Sequence, residues 1–192
     1  PLLFVIDCPT LNYYYSFSAA AGELHSIVCT SNGTVYTFGH DEIGACGHGS
    51  AKKVHVWPEI VEFRLKCSDR PFTAKMLKVD AGGYHSVTLD EEGGVWIFGS
   101  SQDGQLGIEG ISDDNVFSPV RLNIAGLKFV DVGAGFGTTA VVTEKKSVYC
   151  WGDPDAQDRG FAHPALKRPR KAHVHGTAVV LGGYGMVVLP LK

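Results

Sequence analysis

Residues 22–47 recur 60 positions later without a gap. Gly22, His25, Ser26, Gly33, Val35, Phe38, Gly39, Gly44 and Gly47 answer to Gly82, His85, Ser86, Gly93, Val95, Phe98, Gly99, Gly104 and Gly107. That is nine identities in 26 positions, where ordinary residue usage would give about one or two by chance. A third copy lies 53 residues further on: Gly135, Val148, Gly152 and Gly160 match Gly82, Val95, Gly99 and Gly107. A fourth begins 47 residues later still, where residues 181–189 echo residues 81–89. A period of this size requires a repeat architecture in which each unit buries its apolar face against the next. It also explains the glycine excess, because 14 of the 24 glycines occupy recurring phases.

Each unit reads as short strands. Residues 25–30 and 34–38 are rich in β-branched and aromatic residues, and between them Ser31-Asn32-Gly33-Thr34 carries the Asn-Gly signal of a tight hairpin. Gly39, Gly99 and Gly152 follow the second strand, where the chain must bend away. A further strand precedes each new unit, at residues 77–80, 129–132 and 179–181. Before it comes a proline-led stretch, at residues 58–61, 119–122 and 164–166. No segment has the period of an amphipathic helix. About four short strands per unit predict an all-β fold, a β-propeller of four-stranded antiparallel blades. The units run over about 20–80, 81–133, 134–180 and, as the start of a fourth, 181–192.

The pattern Ala-Gly-x-x-His-Ser, then Gly-x-Val-aromatic-x-Phe-Gly, then Gly-Gln-Leu-Gly, resembles the regulator of chromosome condensation repeat. Residues 81–107 are the fullest copy and hold Gly104-Gln105-Leu106-Gly107 intact. The first copy has Ala45-Cys46 in place of Gln-Leu, and the third has Thr138-Thr139 in place of His-Ser. The resemblance implies a ring of seven blades, of which this sequence would supply three to four. Pro1 then reads as an internal point of a longer chain, and the array as part of a larger propeller or one whose ends another chain covers.

Composition narrows the function classes. The net charge of −3 argues against indiscriminate binding to nucleic acid or anionic membranes. No apolar run approaches the ~18 residues of a membrane span. The five cysteines include no Cys-x-x-Cys pair, so neither a disulfide framework nor a zinc ribbon is expected. An intracellular setting, cytoplasm or nucleus, fits this usage. His40, Cys46, His48 and His55 fall in one region, and His173 and His175 are two apart. With no carboxylate or third histidine at a recognisable ligand spacing, they read as solvated loop histidines, and no metal or cofactor is expected. Gly133-Ala134-Gly135-Phe136-Gly137 does not fit a dinucleotide loop.

The His25-Ser26 and His85-Ser86 pairs invite a nucleophilic reading, but neighbouring strand residues point to opposite faces. Their recurrence once per unit predicts hydrogen bonding between neighbouring turns, and no catalytic residue is assigned. Gly22, Gly39, Gly82, Gly99, Gly104, Gly107, Gly135, Gly152 and Gly182 complete this structural signature. The candidate partner-binding residues are Lys167, Arg168, Arg170 and Lys171, in a loop between strands, and Asp113 and Asp114 in the acidic segment 108–118. A longer connection around residues 66–75 is a third contact region.

Three functions follow. The first is a non-catalytic scaffold for protein partners. The second, implied by the resemblance, is guanine nucleotide exchange on a Ran-like small GTPase. The third is chromatin or nucleic-acid association through residues 167–171.

Overall fold

The computed structural model describes residues 16–65, 72–108, 115–122, 124, 126–152, 166–182 and 186–190. Its regular elements are all β-strands. The first sheet is β1 (Ser16–Ala21), β2 (His25–Thr30), β3 (Val35–Asp41) and β4 (Lys52–Ile60). The second is β5 (Met76–Ala81), β6 (His85–Asp90), β7 (Val95–Gly99) and β8 (Val116–Arg121). The third is β9 (Phe129–Ala134), β10 (Thr138–Thr143), β11 (Ser147–Gly152) and β12 (Leu166–His175), and a pair follows, β13 (Ala178–Leu181) with β14 (Met186–Leu189). Every sheet is an antiparallel meander in chain order. Among the described residues no helix is long and apolar enough to cross a membrane.

Local chemistry sets the turns. In the first hairpin Gly33 stands at φ +85°, while the Asn32 side chain accepts the Thr34 N–H at 3.1 Å. In the second, Asp90 Oδ1 accepts the N–H groups of Glu92 and Gly94 at 3.0 and 2.7 Å, with Gly93 at φ +81°. The bends after β3, β7 and β11 place Gly39, Gly99 and Gly152 at φ +116°, +111° and +112°, a region that L side chains rarely adopt.

The outer strands depart from the sequence expectation. β4 and β8 begin well before Pro58 and Pro119, and Pro169 lies inside β12. Each pairing slips by two residues near the proline: Thr37 faces Glu59 but Gly39 faces His55, and Ile97 faces Val120 but Gly99 faces Val116. In the third sheet Cys150 faces Arg170 but Gly152 faces Leu166. An edge strand tolerates proline at such a bulge because its outward N–H has no ladder partner to lose.

Successive sheets stack with their first strands adjacent. Gly83 N–H donates to Phe136 O at 2.9 Å and Glu23 N–H to Gly83 O at 3.1 Å, so neighbouring blades share backbone bonds. Apolar side chains fill the space between sheets; Ile27, Val87, Val132, Val141, Trp96 and Phe98 are all fully buried. Every residue of β6 and β7 is buried, because the second sheet is covered on both faces. β2 alternates between buried and half-buried over its first residues.

Neighbouring blades also approach closely at their first glycines, each of which lies against the His or Thr side chain of its own blade as well. A Cβ on Gly22 would lie 2.5 Å from Gly82 O, one on Gly82 2.3 Å from Gly135 O, and one on Gly135 2.8 Å from Gly182 O. Gly82→Ala therefore overpacks against backbone that cannot rotate away, and is expected to cost ~3 kcal/mol in urea unfolding. Gly126→Ala meets open space at φ +67° and is expected to cost only ~1 kcal/mol. Equal losses in the two variants would contradict this account.

Candidate functional site

The two repeated histidines span the joint between blades. His25 Nε2 lies 2.9 Å from Ser86 Oγ, and His85 Nε2 lies 2.8 Å from Thr139 Oγ1. Each hydroxyl also donates to a loop carbonyl of the earlier blade, Ser86 to Ala45 O and Thr139 to Gln105 O, both at 2.8 Å. A hydroxyl has one proton, so each histidine must be the donor through Nε2. Burial holds His25 down to about 4 and His85 down to about 3, which keeps both rings neutral. No nucleophile is activated by this arrangement, because Ser86 gives its proton to a carbonyl.

The loop carrying those carbonyls docks beneath the next blade. Gly47 packs on the Phe98 ring and Gly107 on Trp151, with no room for a Cβ in either place. Trp151 Nε1 adds a 2.7 Å bond to Gln105 O. Thr138 occupies the third blade's histidine position, and Met186 stands where the fourth copy would need its hydroxyl. A histidine is thus present where the following unit offers a hydroxyl, and absent where it does not. Ser26, at the same place in the first unit, is half-buried.

A second polar group was misjudged from sequence. His55 is not a solvated loop histidine: it lies on β4 with 3% of its surface exposed. Its Nε2 is 3.1 Å from Oδ2 of the fully buried Asp41, and its Nδ1 is 2.9 Å from Oε1 of Glu59. His48 is half-buried, its ring centroid 4.4 Å from that of His55, and its Nε2 is 2.9 Å from Thr37 Oγ1. Burial and the neighbouring His55 both push His48 below the usual histidine range. Desolvation pushes Asp41 up, against the opposing pull of the Cys46 N–H and of His55. His40 faces Glu42 at 3.6 Å at the rim.

Glu59 is the carboxylate that sequence spacing did not enlist. In a regular strand, residues four apart stand ~13 Å from one another. The slip in β4 around residues 56–58 folds out that length and sets Glu59 beside His55. Burial also pushes the Cys29 and Cys46 thiols up to about 11 and about 12, so neither is a ready nucleophile or ligand.

The basic run is a strand, not the expected loop. Residues 167–171 belong to β12, which pairs with β11, and Arg168, Arg170, Lys171, His173 and His175 are exposed. The hydrogen-bond demand of the β11 edge draws this segment into the sheet, and as the outer strand it keeps its charges in water. Asp113 and Asp114, residues 66–71 and residues 153–165 lie outside the described residues.

The blade geometry agrees with comparison to known proteins. The regulator of chromosome condensation (RCC1) repeat matches residues 32–89 and 92–142, and a second model of that repeat matches 18–44, 77–105 and 129–156. The chain belongs to this family. A bifunctional serine/threonine-protein kinase/NEDD4-like E3 ubiquitin-protein ligase of Dictyostelium discoideum is 29% identical over 160 residues, 79% of this chain and 8% of that protein. The Protein RCC2 homolog of Danio rerio is 30% identical over 131 residues, 68% of this chain and 25% of that protein. Prp20p from Saccharomyces cerevisiae superposes with a TM-score of 0.75 at 21% identity, covering 91% of this chain and 44% of its own. Human WBSCR16 gives 0.71 at 24%, covering 88% and 45%. This chain thus spans a quarter or less of these curated relatives and under half of the solved chains.

The inter-blade histidines make stability depend on pH in a stated direction. Their folded values lie below the ordinary 6.5, so the unfolded chain takes up the protons first. Stability is complete above about pH 6.5 and is lost as pH falls towards 4, by about 1.4 kcal/mol per pH unit for each histidine. Urea midpoints should therefore drop steadily from pH 7 to pH 4. His25→Gln/His85→Gln keeps an N–H donor and removes the titration, and its profile should be flatter.

Proposed function

We propose that this chain is a non-catalytic scaffold for protein partners, working inside the cell. The observation that carries the reading is the use made of its most reactive-looking residues. His25, Ser86, His85 and Thr139 are spent on joining blades, so the recurrent polar chemistry holds shape. The surface offers contact groups instead. On β4, Val56, Trp57 and Ile60 are 73%, 70% and 56% exposed, and an exposed tryptophan on a rigid strand is a common energetic anchor of interfaces. A fold of this kind hosts many functions, so the contacts and not the blades select the partner.

Two other readings have specific support. Prp20p is described with its binding properties to Gsp1p and histones, which favours nucleotide exchange on a small GTPase. The exposed cations of β12 favour an acidic partner or nucleic acid.

Nucleotide release from a panel of small GTPases separates the first two. The scaffold reading expects no acceleration by substoichiometric amounts of this chain, and clear acceleration would replace it with exchange. For the third, Lys167, Arg168, Arg170 and Lys171 are changed together to Ala. The scaffold reading expects no steep salt-dependent affinity for DNA in the wild type, and hence none to lose in the variant.

A further inference from the structure

A cleft of about 810 Å³ opens beside β8 in the second blade, within the ~300–1,000 Å³ of ordinary ligand sites. Half-buried Leu122, Ile124 and Leu127 line it, with Arg64, Arg121 and Lys128 around them and Glu92 as the one carboxylate residue among the described lining. Three cations to one anion reverses the balance of the whole chain, whose net charge is −3. Arg64 also pairs with the exposed Glu62 at 2.7 Å, whereas Lys128 has no ion pair among the described residues. Arg121 is fixed before any ligand arrives. Its Nη2 lies 3.0 Å from Oδ2 of the buried Asp90 and 3.0 Å from Oε2 of Glu92. Its guanidinium carbon stands 5.1 Å from the Phe72 ring centre and 5.8 Å from that of Trp96. Both ion pairs use one nitrogen, so Nε and Nη1 keep donors without an acceptor among the described residues.

The first blade has the same backbone frame with its cleft narrowed. The N–H groups of Val61 and Leu122 donate to Val35 O and Val95 O, and those of Met76 and Phe129 to Gly33 O and Gly93 O. Yet the first blade's cleft holds only about 290 Å³. Phe63 and Phe72 line it, and their ring centres lie 5.3 and 4.9 Å from that of Trp96. The connection that carries them closes from Phe72 N–H to Phe63 O, whereas the second blade closes a shorter turn from Leu127 N–H to Ile124 O. The residue facing Trp96 from the outer strand is Arg121, and the residue facing Tyr36 at the same place in the first blade is Ile60. The blade frame therefore requires neither the wide cleft nor the arginine.

We propose that this cleft docks an acidic segment of a protein partner. An apolar side chain seats on Leu122, Ile124 and Leu127, a carboxylate takes the open edge of Arg121, and Lys128 supplies the second cation. Such docking rests on the scaffold role proposed above, and gives it a contact surface other than β4 and β12. A guanidinium already held by Asp90 loses little freedom on meeting a carboxylate, and its planar fork suits that group. The Glu92 side chain is 56% exposed and can yield its place to the incoming carboxylate without leaving water. Apolar walls favour a peptide over nucleic acid, whose backbone needs a continuous track of cations.

The test is NMR titration of the isotope-labelled full chain with the end-capped peptide Glu-Glu-Leu-Leu-Glu-Glu. The expected result is saturable shifts of the amides of residues 92–94 and 126–129, absent with Lys-Lys-Leu-Leu-Lys-Lys and with Glu-Glu-Ser-Ser-Glu-Glu. Lys128→Glu, at an exposed position, should weaken binding about 10-fold, the loss of one charge-assisted hydrogen bond. Ile124→Phe installs the ring that the first blade carries as Phe63, and should abolish binding while melting curves verify that the variant folds. Lys53→Glu, exposed on β4, should leave the affinity unchanged. No saturable shifts up to about 1 mM peptide overturns the proposal. So does equal binding of the lysine or serine peptide, or an affinity unchanged in both Lys128→Glu and Ile124→Phe. Tighter binding of single-stranded oligo-dT at the same amides would overturn it in favour of nucleic acid. The scaffold role is read separately, from nucleotide release, and stands or falls apart from these outcomes.

Discussion

At the hub of the stack, the carbonyl of one blade's first glycine occupies the space where the preceding blade's glycine would carry a Cβ. Gly22, Gly82, Gly135 and Gly182 form a file in which each contacts the next. This spacing fixes how far apart the sheets can sit, and the other inter-blade contacts depend on it. The histidine of one blade reaches the hydroxyl of the next only at this distance. The loop carbonyls at Ala45 and Gln105 meet the same hydroxyls from below. A small displacement at the hub would break a buried three-member hydrogen-bond chain, and a buried polar group without its partner is costly.

From that stacking follows the burial of the second sheet on both faces. A sheet covered on both sides has no polar face, and His85, Ser86 and Thr88 lie in β6 at 0% exposure only because each has a polar partner. The neutral histidines are a consequence of the same closeness. Rigidity on this scale leaves the outer strands and the connections free to vary, which is where Trp57, the β12 cations and the His48–His55–Glu59 group are found. The hub is common to the blades, while these outer features differ between them.

Much of the fold was legible in the sequence because glycine signals act locally. Gly33 and Gly93 mark hairpins by backbone conformation, and Gly39, Gly99 and Gly152 mark bends in the same way, so their phase, with the β-branched and aromatic runs beside them, pointed to the β2–β3 hairpin and its later copies. The outer strands were less legible. Proline ordinarily ends a strand, and Pro58, Pro119 and Pro169 gave no sign that they sit within one, at a bulge on an edge. Residues 167–171 looked like a solvated loop for a related reason: their charge predicts exposure, and an outer strand is exposed as well as paired. The polar group beneath β4 was hidden altogether, because His55 and Glu59 come together through a register slip, and Asp41 and Thr37 through pairing with another strand.

The sequence by itself determined the repeat, the all-β class, the hairpins and the residues that would recur at each joint. These follow from backbone preferences of glycine and from side-chain periodicity, both of which act over a few neighbouring residues. Only the tertiary structure decided which histidine meets which hydroxyl, that β12 completes a sheet, and that two histidines and a glutamate converge on one point. Those outcomes depend on distances between residues up to 61 positions apart. Strand register and the packing of one blade on the next set such distances, and no local preference encodes them.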